Sequence, residues 1–147
     1  MNKDYIYKRR LLKLAEYLGK LPKSKFDFSK WVGEDWKGKQ NLSCGTTACS
    51  LGHAATIPSL RKAGLRLYYD ITTVRDNDFL IHRVGLKNES YHSCNPFNAA
   101  REVFDLSYGE FCELFTMDDD RNGFNEYTTP KEAANHIREF VKNKYES

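Results

Sequence analysis

The densest concentration of reactive side chains lies in SCGTTACSLGHAA, residues 43–55. Cys44, Cys49 and His53 place two thiols and an imidazole within ten residues. Cys49 and His53 are four apart and would share one face of a helix. Soft donors of this kind suit zinc or iron, with His92 or Cys94 available to complete a set. The C-x4-C spacing is a weak metal signal, because small buried thiols at a close helix contact produce the same string. A second chemistry is nucleophilic. Exposed N–H groups at a helix start stabilise a thiolate, so Cys44 with His82 or His53 as base would make a cysteine hydrolase. Asp70, Asp78 or Asn95 would orient that base, and nothing in the sequence selects among them. The context C-G-T-T-A-C also departs from the C-G-S-C-W of papain-like sites.

A third chemistry uses the same helix start without covalent bonds. Ser43, Gly45, Thr46 and Thr47 offer hydroxyls and backbone N–H groups where the helix dipole is positive, which suits a phosphate. Arg61, Lys62 and Arg66 follow with positive charge, and Tyr68, Tyr69, Tyr91 and Trp31 can stack on a base. The GxxxxGK[ST] pattern of a P-loop is absent. The expectation carried forward is non-enzymatic capture of a small phosphorylated ligand such as a cyclic nucleotide, without a cofactor. The competing account is packing, since Gly45, Ala48, Gly52 and Ala54 would let another backbone approach closely. Farther along, Asp118, Asp120, Asn122 and Gly123 fall at positions 1, 3, 5 and 6 of a calcium loop. Position 12 is Thr129 rather than the bidentate Glu, so an unmetallated acidic turn is expected.

These residues need elements to hold them. A first helix is predicted from Asp4, as N-cap, to Leu18, with Ile6, Leu11, Leu14, Ala15 and Leu18 as its apolar stripe. Gly19 and Pro22 end it, and an aromatic loop follows that drops Phe26, Phe28, Trp31 and Trp36 onto the core. A helix of small residues should start near Thr46 and stop before Pro58, with a short one from Ser59 to Ala63 capped by Gly64. LRLYYDITTV and DFLIHRV flank Arg75-Asp76-Asn77 and read as a β-hairpin, with residues 85–94 as loop. Pro96 to Phe104 reads as a helix. Ser107, with Glu110 three positions on, opens another carrying Phe111, Leu114 and Phe115, with Cys112 in the core. Thr129 as N-cap, Pro130 at N1 and Glu132 at N3 open the last helix, which buries Ala133, Ala134, Ile137, Phe140 and Val141. The class is α+β: a mostly helical single domain with one small antiparallel β-hairpin.

The string CGTTACSLGHAATIPSLRKAGL, residues 44–65, resembles an uncharacterised family of small phage and bacterial proteins with a C-G-T-x-A-C-x-x-G-H-A motif followed by I-P-x-x-R. The family's F-x-L-S-x-x-E-x-x-x-L-F and T-P-x-x-x-A-x-x-I-R-x-F patterns match Phe104 to Phe115 and Thr129 to Phe140. LLKLAEYL with FDFSKW also fits. This chain departs from the family in its longer hairpin and its polar loop over 118–127. The resemblance conveys membership and no catalytic residue. It implies a phage-encoded protein acting in the host cytoplasm, for which sequestering an immune signalling nucleotide is one strategy.

Length and composition bound the rest. At 147 residues and 40% hydrophobic, the chain can build one core and is not disordered. No apolar run approaches the roughly 18 residues of a membrane helix, and the charged first residues do not read as a signal peptide. A cytoplasmic location with free thiols is expected, with no membrane partner. Net charge is +3 but unevenly spread: residues 1–25 hold eight Lys or Arg against Asp4 and Glu16. That basic end could attract a polyanion or a host protein, which admits a protein-binding inhibitor as a further reading. A homo-oligomer is also compatible with the sequence.

Overall fold

The computed structural model describes residues 3–26, 50–69, 82–90, 93, 95–116, 121–125 and 127–146. Within these residues the chain runs α1 (Lys3–Gly19), a single 3-10 turn (Lys23–Lys25), α2 (Ser50–Ala54), α3 (Pro58–Lys62), β1 (Leu65–Tyr69), β2 (His82–Leu86), α4 (Pro96–Phe104), α5 (Tyr108–Phe115) and α6 (Pro130–Tyr145). It is a mostly helical α+β fold with one two-stranded antiparallel sheet, as the sequence predicts.

The centre of the fold is α1 against α6. Leu11, Leu14, Ala15 and Leu18 of α1 and Ala133, Ala134, Ile137 and Val141 of α6 are buried in a single cluster. Two ties span the ends of the chain: Arg138 donates to the Ala15 carbonyl at 3.4 Å, and Lys8 pairs with Glu146 at 3.7 Å. Two details of α1 differ from expectation. Asp4 lies inside the first turn rather than capping it. Ile6 faces outward. The step from Ile6 to Leu11 is five residues, which rotates Ile6 well off the stripe. The positions three and four before Leu11 are Lys8 and Tyr7, and these are the half-buried pair.

Local chemistry sets the ends of the later helices. The Asn95 side chain accepts from the N–H groups of Phe97 (2.8 Å) and Asn98 (3.3 Å) at the start of α4, where Pro96 needs no donor. Asp105 ends α4 in the left-handed region, with φ of 55°. Ser107 with Glu110 and Thr129 with Glu132 form complete capping boxes. The Thr129 backbone bond holds the Glu132 carboxyl below its usual range. Replacing either Ser107 or Thr129 by Ala should cost about 1 kcal/mol, readable as a lower urea midpoint with an unchanged slope.

The hairpin pairs Leu65 with Leu86, Leu67 with Val84 and Tyr69 with His82. Leu65, Leu67 and Val84 are buried, which leaves Arg66 and Tyr68 on the other face of β1. Gly85 and Leu86, expected in a loop, belong to β2 because Arg66 and Leu65 pair with them. The tip of the predicted hairpin, Arg75-Asp76-Asn77, lies outside the described residues, as do Phe28, Trp31 and Trp36; Phe26 is buried as expected. Pro58 is the first residue of α3, one earlier than predicted. Cys112 is half-buried at the edge of the core.

Candidate functional site

The α3–β1 corner brings three of the expected ligand residues together. Gly64 makes the corner at a φ of +122°, a conformation that favours glycine, and Arg61 and Arg66 stand on either side of it. Arg66 Nη1 donates to the carbonyls of Arg61 (2.6 Å) and Leu65 (2.7 Å). Arg61 Nη1 donates to the Ala55 carbonyl at 3.3 Å. Backbone acceptors at the corner thus orient the Arg66 guanidinium, and the carbonyl that follows α2 orients that of Arg61. Burial, and then the charge of Arg66, hold the Arg61 guanidinium below its usual pKa. Tyr68 shares the outer face of β1 with Arg66, and its hydroxyl donates to the Leu86 carbonyl. That bond runs diagonally along the hairpin, since Tyr68 pairs with Arg83 and Leu86 pairs with Leu65.

Ser43, Gly45, Thr46 and Thr47 lie outside the described residues, as do Cys44, Cys49, Asp70, Asp78, Tyr91, His92 and Cys94. For Tyr69 and His82 only the strand position is described, opposite each other in the register. All five residues of α2 are buried, so its small residues Gly52 and Ala54 sit in close packing. Among the described residues no group of three His, Cys, Asp or Glu side chains could hold a metal ion.

His53 is 1% exposed. Its Nε2 lies 2.7 Å from the Lys25 carbonyl, which can only accept, so Nε2 carries the proton. Tyr17 (centroids 5.7 Å apart) and Phe26 (6.3 Å) flank the ring. Burial pushes its pKa down to about 4; the Lys25 carbonyl bond opposes this and the Lys25 charge adds to it. His53 is therefore neutral at pH 7 and ties α2 to the turn after α1. Its Nδ1 and the Ser50 hydroxyl have no hydrogen-bond partner among the described residues.

The described part of the calcium-like loop has another task. Asn122 Nδ2 donates to the Thr116 carbonyl at 3.0 Å and to that of Glu113, and its Oδ1 accepts from Phe124 N–H at 2.8 Å. It closes the carboxyl end of α5, and Thr129 caps α6, so both side chains are engaged in helix termini. Asp118 and Asp120 lie outside the described residues.

Two further features escape sequence reasoning. His136 and Glu113 meet at 3.0 Å from α6 and α5, with Arg121 at 3.6 Å from the same carboxylate. Their separation of 23 residues leaves no local signal. An open groove of about 580 Å3 runs along the outer side of α1. The basic surplus of residues 1–25 signals its charge, although not its apolar share. No family model matches the chain, and no curated protein or solved structure matches it.

Proposed function

We propose that the chain is a non-enzymatic binding protein for a small phosphorylated ligand held at the α3–β1 corner. The observation that supports this reading is the convergence of Arg61 and Arg66. The two guanidinium groups feel each other's charge, and a phosphate beside them would complement that local excess of positive charge. Tyr68, on the same strand face as Arg66, provides a ring edge for a base. Ser43, Gly45, Thr46 and Thr47 would add hydroxyl and backbone donors. On the resemblance of residues 44–65, the ligand would be an immune signalling nucleotide and the setting a phage-infected cell.

Native mass spectrometry and calorimetry against a panel of cyclic nucleotides test the reading. Arg66→Ala should weaken the best ligand about tenfold or more, the worth of one charge-assisted contact. If both Thr46→Val and Arg66→Ala bind as tightly as the unaltered protein, the corner is not the site. A protein that ignores the whole panel would remove the nucleotide reading.

A further inference from the structure

We propose that the outer side of α1 is a docking surface for an acidic, amphipathic helical segment of a partner protein. Along this side α1 presents Ile6, Arg9, Arg10, Leu12, Lys13 and Glu16 to the groove of about 580 Å3, with Ser59 of α3 across from them. A second depression of about 220 Å3 shares Lys13 and Glu16 and continues to Tyr17, Lys20 and Leu21. Together they line a trough along α1 from Ile6 to its end at Gly19, a rise of about 20 Å, or between three and four helical turns, and just beyond it to Leu21.

The chemistry of the trough selects its occupant. Among the described residues its cations are Arg9, Arg10, Lys13 and Lys20, against the carboxylate of Glu16. Glu16 is already engaged with Lys20 at 3.8 Å, and Arg10 donates to the Val103 carbonyl. Arg9 lies over the Tyr5 ring, and neither Arg9 nor Lys13 has an ion pair among the described residues. These two cations, four apart on one helix face, repel each other slightly. Carboxylates set between them would remove that cost. Ile6 (36% exposed) and Leu12 (37%) border the same groove as uncovered aliphatic surface, the counterpart of a partner's apolar stripe. Nucleic acid fits less well, because among the described residues the main groove is bordered by the aliphatic side chains of Ile6 and Leu12, and no amide side chain lines it to read bases.

The probe is a fluorescent synthetic peptide of about four turns, with Leu at helical spacing on one face and Glu on the flanks. Fluorescence polarisation should show saturable binding that weakens with salt and persists when charge is screened. The pair Arg9→Glu and Lys13→Glu should weaken it about tenfold or more, and Leu12→Ser should weaken it severalfold. Each site is exposed, so thermal melts should stay unchanged. The pair Lys131→Glu and Lys142→Glu, exposed on α6, removes the same charge elsewhere and should leave binding intact. No binding overturns the proposal. Equal binding of a scrambled peptide, or equal weakening by the α6 pair, overturns it in favour of diffuse charge attraction. A single-stranded oligonucleotide that binds more tightly and responds to the same α1 variants overturns it in favour of a nucleic-acid surface.

Discussion

Between pH 6.5 and about 4 the fold should lose on the order of 3 kcal/mol through His53 alone. The ring titrates at 6.5 when exposed and at about 4 in the folded protein, so within this window the unfolded chain binds the extra proton. Folding stability is therefore complete above pH 6.5, falls as the pH drops, and levels off below about 4. Burial causes the shift: a protonated ring in this position would lose its water between Tyr17 and Phe26. Carboxylates add losses lower down. Glu132 acts through its Thr129 bonds; Glu110, against the opposing effect of burial, acts through Ser107 and Lys144. The clean comparison is therefore the protein against His53→Gln, by urea unfolding at several pH values. The variant should be weaker at neutral pH and nearly flat from pH 6.5 down to the onset of carboxylate titration. Two parallel curves would show that His53 is not the group responsible.

Phe104→Ala should cost about 3–5 kcal/mol, close to the whole stability of a weakly stable domain. Phe104 is fully buried at the end of α4 and packs against Phe115 of α5 with ring centroids 5.9 Å apart. The left-handed turn at Asp105 follows immediately, so the backbone around the hole is held on both sides and cannot easily collapse into it. Phe104→Leu keeps most of the volume and should recover most of the loss. Tyr127→Ala, at a side chain 77% exposed, should move the urea midpoint very little. If Phe104→Ala unfolds at nearly the same urea concentration as the parent, the packing of α4 on α5 is wrong.

The elements that can be read from sequence are those set by local chemistry. The starts of α4, α5 and α6 follow from Asn95-Pro96, Ser107 with Glu110, and Thr129-Pro130 with Glu132, because each cap bonds within three residues of itself. Ile6 misleads because an apolar residue five positions before Leu11 fits the composition of the stripe but not its phase. The end of β2 misleads because Gly85 and Leu86 look like loop until Leu65 and Arg66 pair with them. The same distinction runs through the candidate site. Arg61, Arg66 and Tyr68 are close in sequence around Gly64, and their meeting is foreseeable. The bond from His53 to Lys25 spans 28 residues, so the sequence marks the imidazole as available for metal or catalysis while the fold uses it to hold two segments together.

The pairing of α1 with α6 has a consequence for synthesis. The stripe of Leu11, Leu14, Ala15 and Leu18 is made well before α6, which supplies the main part of its cover, with Arg138 reaching Ala15 across 123 positions. A nascent chain on the ribosome must hold that stripe without that part of its cover until residues 130–145 have emerged. Closure then depends on a long-range encounter, which slows folding relative to a bundle of neighbouring helices. A chain stopped before Pro130 would leave the part of that stripe that α6 covers open to solvent, with basic residues on the opposite side of α1, a surface suited to chaperone capture and to aggregation on polyanions.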